Sequence, residues 1–193
     1  MQFVVKASCE WGLSAIEGVM KNLRGFTLIE LMVTLAVGIT ILAIGIPSFM
    51  NMMSSNQTTG YANDLVGAIR YARSEAVKRA ADVAVCASNS DQTACSGTDW
   101  NNGWVVFTDD NANDQFDAGE TMLRVWSIAS NERSYLEFDG SAPNDIRFNA
   151  GGANVTDTQI QFAFQKTDCQ GNQARQVTVS RLGRPSIDHV ACF

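Results

Sequence analysis

Hydrophobic side chains follow three different patterns along this chain. Residues 31–49 include no charged side chain. Over residues 61–76 apolar positions recur every three or four residues, which is the period of an α-helix with one buried face. From Asp82 onward the period is two, the spacing of β-strands that bury one face. The chain therefore predicts one long helix, over about residues 26–80, followed by a β-rich domain.

The apolar run is long enough to cross a membrane. Residues 31–49 span about 28 Å at 1.5 Å per residue, close to the hydrocarbon thickness of a bilayer. The alternative is a helix buried in a soluble core, but such helices rarely lack a polar face over their whole length. Gly45 and Pro47, near the end of the run, are kink signals. We expect a transmembrane helix.

The remaining chain predicts an α+β fold, in which the amphipathic half of the helix packs on an antiparallel sheet. The helical face predicted to be buried consists of Tyr61, Leu65, Ala68, Ile69, Ala72 and Ala76. Seven strands are predicted, at residues 83–87, 103–108, 121–128, 135–138, 145–148, 159–165 and 175–181. The predicted organisation is an N-terminal segment (1–25), a transmembrane helix (26–50), its amphipathic continuation (51–80) and a β-rich head (81–193).

Charge is scarce and unevenly distributed. Charged residues make up 18% of the chain, against about 25% in typical soluble domains, and the formal net charge is −6. Residues 1–80 carry 7 Lys/Arg and 5 Asp/Glu, whereas residues 81–193 carry 7 and 15, a net −8. Such an acidic head argues against a broadly basic nucleic-acid-binding protein. Because Lys21 and Arg24 precede the apolar run, we expect the N-terminus in the cytoplasm and the head across the membrane.

The most specific motif lies directly before the apolar run. There, Lys21-Asn22-Leu23-Arg24-Gly25 is followed by Phe26-Thr27-Leu28-Ile29-Glu30. This motif resembles the class III signal of type IV pilins and type II secretion pseudopilins. The resemblance implies cleavage after Gly25 by prepilin peptidase, N-methylation of Phe26, and retention of the apolar helix in the mature protein.

Glu30 is the only charged residue between Phe26 and Met53. An unpaired charge at the edge of an apolar segment is costly. In a filament, the Glu30 carboxylate would neutralise the Phe26 amine of a neighbouring subunit inside a bundle of apolar helices. The alternative is that Glu30 reaches the lipid headgroups without a partner. We expect the pairing.

Residues 1–19 follow no recognisable pattern. In contrast, Met20-Lys21-Asn22-Leu23-Arg24-Gly25 is by itself a complete short basic leader. We therefore expect translation to start at Met20.

Two later segments extend the resemblance. Tyr71-Ala72-Arg73-Ser74-Glu75-Ala76 and Asn101-Asn102-Gly103-Trp104-Val105-Val106-Phe107 are similar to elements of FimT/GspH-type minor pilins. The resemblance implies a structural subunit that helps to initiate or cap a type IV pilus or type II secretion pseudopilus. Its partners would be other pilins or pseudopilins, prepilin peptidase and the inner-membrane assembly platform. It would reside in the bacterial inner membrane and then in a periplasmic or extracellular filament.

Enzymatic activity has little support in the sequence. No nucleophile elbow, P-loop or zinc-protease helix occurs, and the only histidine is His189. A single histidine near a cysteine pair is most often structural. We expect no catalytic residue.

Four of the five cysteines lie in the predicted head, outside the cytoplasm, where disulfides persist. The fifth, Cys9, falls in the leader. The four allow three connectivities, of which we favour the local pairs Cys86–Cys95 and Cys169–Cys192. The second pair would pin the C-terminus and contribute about 3 kcal/mol by restricting the unfolded chain.

An acidic loop matches the spacing of a calcium-binding EF-hand loop. The residues on ligand positions 1, 3, 5, 9 and 12 are Asp109, Asn111, Asn113, Asp117 and Glu120. However, Asp114 replaces the glycine required at position 6, and strands rather than helices are predicted on both sides. We therefore favour a polar turn whose side chains bind its own backbone, with calcium as the alternative. No other cofactor is expected.

Three arginines near the C-terminus, Arg175, Arg181 and Arg184, are candidates for DNA binding. Some FimT-type pilins capture DNA for natural transformation through a Gly-Arg-x-Arg element. Gly183-Arg184-Pro185-Ser186 is similar to that element but lacks its last arginine. Because the head is acidic, we favour ordinary solvated arginines and keep DNA capture as the alternative function.

Overall fold

The computed structural model describes residues 25–193, except 96, 98, 130, 132–135, 140, 141 and 157. Apart from Gly25, the predicted leader and its start at Met20 lie outside the described residues, as does Tyr135 of the fourth predicted strand. The chain divides into two compact units, with the boundary between Ile44 and Gly45.

A long helix, α1, runs over Leu28–Arg79. Thr27 caps its first turn, since the Thr27 hydroxyl accepts the backbone N–H of Glu30 at 3.2 Å. The helix continues through Pro47, which carries no N–H for the helical hydrogen bond. By length and composition, α1 is able to cross a membrane.

In the described part of the chain, eight strands follow α1 and form two antiparallel sheets. The strands are β1 (Val83–Ala87), β2 (Gly103–Thr108), β3 (Met122–Ser127), β4 (Leu136–Phe138), β5 (Asp145–Phe148), β6 (Ile160–Lys166), β7 (Ala174–Val179) and β8 (Pro185–Val190). The first sheet has the order β3-β2-β1-β5 and the second the order β4-β6-β7-β8. A short 3₁₀ helix, Trp100–Asn102, precedes β2. The α+β prediction is confirmed.

The main core lies where the second half of α1 meets both sheets. Leu65, Ile69 and Ala72 of α1 are at most 1% exposed, in one cluster with residues of both sheets. Side chains such as Val85 of the first sheet and Phe162 of the second complete this cluster. The helical face predicted from the 3.6-residue period is therefore the face that is buried.

The first sheet is buried on both faces at its centre. Ala84, Cys86, Val105 and Phe107 form a second, smaller cluster on the face away from α1. Phe116 covers this cluster from the acidic loop, with its ring centroid 5.5 Å from that of Phe107. In β1 and β2 both faces are therefore buried and the residues are nearly continuously apolar, which departs from the predicted period of two.

The chain's last strand was not predicted. The strand predicted at residues 175–181 ends at Val179, and β8 (Pro185–Val190) returns beside it. Proline is uncommon inside sheets, but Pro185 begins an edge strand, where its missing N–H is tolerated. The sequence analysis placed no strand around Pro185, whereas the structure forms a hairpin there.

The position of Ile69 predicts a clear effect on stability. Ile69→Ala should lower the free energy of unfolding by about 2–5 kcal/mol, because it opens a cavity between α1 and the sheets. Val77→Ala, at a position on the same helix that is 52% exposed, is the matched control and should change it by less than about 0.5 kcal/mol. Thermal unfolding of the detergent-solubilised chain by circular dichroism measures both, and equal effects would contradict the packing described here.

Candidate functional site

The predicted processing and assembly residues lie at the N-terminal end of α1. Phe26 is 80% exposed and precedes the first helical residue by two positions. Glu30 lies in the first turn of the helix and is exposed. A carboxylate in a first turn is favoured by the partial positive charge of the helix N-terminus. Both groups are therefore available to a partner outside this chain.

From Leu28 onward, α1 presents a continuous apolar surface. The exposed large apolar side chains of this surface are Leu28, Ile29, Leu31, Met32, Val33, Leu35, Val37, Ile39, Ile41, Leu42, Ile44, Ile46, Phe49, Met50, Met52 and Met53. Exposed apolar surface of this extent marks a membrane or protein contact.

Two disulfides close loops in the described part of the head. Cys86 is bonded to Cys95 and Cys169 to Cys192, which is the local pairing among the three connectivities. The first holds the loop after β1. The second joins the turn between β6 and β7 to the C-terminus, beyond β8.

The acidic loop between β2 and β3 binds its own backbone. The carboxylate of Asp109, buried against the sheet, accepts the N–H groups of Asn113 and Asp114 at 3.1 and 3.2 Å. The other candidate ligands follow the same plan: Asn111 and Asn113 donate side-chain amides to Asp117 at 3.0 and 2.7 Å, and Glu120 accepts the N–H groups of Asp110 and Asp117 at 3.1 and 2.8 Å. The Asn113 and Asn111 amides hold the pKa of Asp117 below its usual range. Among the described residues, no three acidic, histidine or cysteine side chains are grouped as metal ligands.

An ion-pair cluster ties this loop to β5. The Nε of Arg147 lies 2.8 Å from Asp114 Oδ1 and 3.6 Å from Asp109 Oδ2, and its Nη1 lies 3.4 Å from Asp82 Oδ2. Asp145, two residues earlier on β5, lies near Asp114 and interacts with it electrostatically. Burial, and then the negative charge of Asp114, raise the pKa of Asp145 to about 6.

Arg175 is not a solvated arginine, which corrects the prediction, and it is not exposed as a residue of a DNA-binding surface would be. Its side chain is buried, with the residue 2% exposed. Its guanidinium donates to the hydroxyls of Thr59 (2.9 Å) and Ser55 (3.1 Å) on α1, and to backbone carbonyls that include that of Gln173 (2.8 Å). Burial lowers the pKa of Arg175. Arg175 therefore links β7 to α1 through hydrogen bonds. The sequence missed this because residue type alone does not show whether a strand position faces solvent or the interior.

Arg181 and Arg184 are exposed, as predicted for solvated arginines, and lie at the turn between β7 and β8. His189 is exposed on β8. The sequence interpretation did not foresee that Arg184 lies beside a basic stretch of α1. The side chains of Arg70, Arg73, Lys78 and Arg184 line one groove.

Comparison with known protein families gives two matches. Residues 61–183 match the family described as Type II transport protein GspH, and residues 20–46 match the prokaryotic N-terminal methylation motif. No curated protein matches the sequence.

Two solved structures resemble the chain. The crystal structure of the Pseudomonas aeruginosa (strain PAO1) type IV minor pilin FimU in space group P21 has 21% sequence identity and a TM-score of 0.53. The match covers 72% of the chain described here and 96% of the FimU chain. A crystal structure of FimU in space group P65 has 20% identity, covers 70% of this chain and 99% of that chain, and has a TM-score of 0.49. The first likeness shows the pilin fold.

A long apolar helix bearing an antiparallel head, preceded by a methylation motif, defines a pilin-like protein. Since the first family match spans well over half of its length, the chain belongs to the GspH family of pilin-like proteins. This family consists of structural pilins and pseudopilins that are typically non-enzymatic. Membership implies assembly with other pilins and processing by prepilin peptidase, and the N-terminal apolar helix fits a membrane-anchored pilin.

The burial of Arg175 predicts that substitution of Arg175 and of the nearby exposed Arg181 will differ sharply in their effect on stability. Arg175→Gln should lower the free energy of unfolding by about 2–4 kcal/mol, because partly buried hydroxyls and carbonyls lose their donor. The exposed Arg181→Gln should change it by less than about 0.5 kcal/mol. Chemical denaturation of both variants measures the difference. Equal stability of the Arg175→Gln and Arg181→Gln variants would show that the hydrogen bonds of Arg175 do not stabilise the fold.

Asp145 predicts a pH-dependent stability. The usual pKa of an aspartate carboxyl is 3.8, whereas that of Asp145 in the folded chain is about 6, so the folded chain holds an extra proton between these values. The contribution of Asp145 to the free energy of unfolding therefore falls as pH rises from about 4 to about 6, and it stays low above pH 6.

Asp145→Asn should flatten this part of the pH profile and stabilise the chain at pH 7. A shift is worth about 1.4 kcal/mol per pKa unit, and since the side chain is half-exposed we expect a gain of about 1 kcal/mol. Asp110→Asn, in the exposed part of the loop, controls for the loss of one charge. Unfolding midpoints measured from pH 4 to 8 test this, and parallel profiles for wild type and Asp145→Asn would contradict it.

Proposed function

We propose that this protein is a minor pilin or pseudopilin that helps to initiate or cap a type IV pilus or a type II secretion pseudopilus. The observation that carries the proposal is the continuous exposed apolar surface of α1, with one charged residue, Glu30, at its start. Its mechanism is assembly, and it involves no chemical step apart from processing.

The apolar surface requires two successive environments. Burying one large apolar side chain contributes about 1.5–3 kcal/mol, so a surface of more than a dozen such residues is unstable in water. A bilayer satisfies it before assembly, and packed helices of neighbouring subunits satisfy it in a filament. Because α1 has exposed apolar side chains all along its first half, it offers contacts to several neighbours at once.

Glu30 gives the assembly its register. After cleavage behind Gly25, the Phe26 amine is a positive charge one helical turn from Glu30. The Phe26 ammonium and the Glu30 carboxylate are tolerated inside an apolar bundle only when each is paired with an opposite charge. Removal of one of them leaves the other unpaired. Pairing of Glu30 with the amine of a neighbour sets the axial position of each new subunit.

The head stays outside the bundle and is suited to oxidising compartments. Its disulfides fit a periplasmic or extracellular location. Lys21 and Arg24 before the apolar run favour a cytoplasmic N-terminus before processing. The proposed segments are a leader (1–25), a transmembrane helix (26–50), its continuation (51–80) and the head (81–193).

Glu30→Val tests the assembly role. The variant should still be cleaved after Gly25, because the cleavage site is intact, but its incorporation into filaments should fall by about tenfold or more because the Phe26 amine loses its partner. Gly25→Val, which alters the cleavage site, should leave the leader attached and also prevent incorporation. Mass spectrometry of the N-terminus and quantification in sheared filaments measure the two steps.

Incorporation of Glu30→Val at the wild-type level would refute the pairing. Loss of surface pili on gene deletion would assign the protein to a pilus, and loss of exoprotein secretion would assign it to a secretion system. A deletion that affects neither would refute the assembly role.

A further inference from the structure

A basic groove lies between the C-terminal part of α1 and two loops of the head. Arg70, Arg73 and Lys78 line it from the helix, and Arg184 from the turn between β7 and β8. Its volume is about 890 Å³. All these residues belong to the second compact unit, Gly45–Phe193, and no Asp or Glu is among the described residues that line the groove.

The four cationic side chains differ in how far they are neutralised. Lys78 lies 2.9 Å from Glu75, which also pairs with Arg79 at 3.0 Å. Arg70 and Arg184 are exposed and have no ion pair among the described residues. These two arginines are therefore free to bind a negatively charged group.

The far wall of the groove packs closely against α1. Arg73 donates its Nε–H to the Gly152 carbonyl at 2.8 Å. A Cβ at Gly152 would lie 2.9 Å from a methyl of Val77, and a Cβ at Gly183 would lie 2.5 Å from the Gly152 carbonyl oxygen. Both glycines have positive φ, +75° and +72°. The loop at Gly152 can therefore approach α1, and the turn at Gly183 can approach that loop, only because these two positions lack side chains.

The turn also presents Arg184 in a fixed place. The N–H of Gly183 donates to the Ser180 carbonyl at 2.8 Å, and the N–H of Arg184 donates to the Ser180 hydroxyl at 3.1 Å. Since these hydrogen bonds fix the backbone at Gly183 and Arg184, the turn loses little conformational entropy when a partner binds.

The surroundings of the groove restrict its occupant. The rest of the head is acidic, with a net −8 over residues 81–193, and Asp188 lies on the strand that continues from Arg184. A long polyanion would extend over this acidic surface and be repelled. A short acidic segment avoids that repulsion. Val77 and Pro185 add apolar contacts that suit a peptide.

We propose that the groove binds an Asp/Glu-bearing loop of a neighbouring subunit in the filament. This inference rests on the proposed function, because it requires a neighbour whose head lies beside this one. Charge complementarity of this kind speeds association and excludes wrong partners, which suits a subunit with one place in an ordered assembly.

The test uses the full mature chain in detergent and a fluorescent peptide of alternating glutamate and glycine. The wild type should bind this peptide, and should bind its glutamine counterpart at least about fivefold more weakly. The double variant Arg70→Gln/Arg184→Gln should bind the glutamate peptide about fivefold or more weakly than the wild type does. Arg181→Gln, an exposed arginine of the same turn that does not line the groove, is the matched control and should bind as the wild type does. Arg70→Lys/Arg184→Lys should retain most of the affinity.

Equal binding by the wild type and the double variant would overturn the proposal. So would tighter binding of a single-stranded oligonucleotide of the same net charge, which would indicate a nucleic-acid partner. Because binding is measured without filaments, a negative result leaves the assembly role intact. Conversely, failure of Glu30→Val to impair incorporation would refute the assembly role, whatever the peptide does.

Discussion

The packing of one helical face against two sheets at once holds the head together. Leu65, Ile69 and Ala72 lie in a single cluster with side chains from both sheets, so neither sheet has a complete core without α1. Alanines on this face allow the strands to approach the helix closely. The loop at Gly152 and the turn at Gly183 are fixed against the same helix, and the basic groove therefore depends on this packing for its shape.

Over residues 54–59, the contacts of α1 with the head change from apolar to polar. Arg175 bridges to Ser55 and Thr59, and Ser54 donates to Asp168 at 3.0 Å. Hydrogen bonds of this kind are directional and add little net free energy each, about 1 kcal/mol. They hold this part of the helix on the head without burying more apolar surface. The large apolar side chains of the first half of α1 remain exposed.

Much of the fold could be predicted because local patterns and burial agree. The buried face of α1 follows its helical period, and β1, β2 and β5 have the predicted bounds. The strand β8 was missed because Pro185 is compatible with an edge strand only when a neighbouring strand, β7, is already in place. The acidic loop has the spacing of a calcium site, but its oxygens accept hydrogen bonds from the loop itself.

The sequence by itself determined the features that depend on residues near each other along the chain. These are the N-terminal methylation motif within residues 20–46, the uncharged apolar run, and the period of the helix, because each rests on local chemistry or on length. Only the tertiary structure decided which arginines are free. Arg175 is buried and Arg184 is exposed beside Arg70, since burial and proximity are set by the packing of strands and helix and not by the residue type.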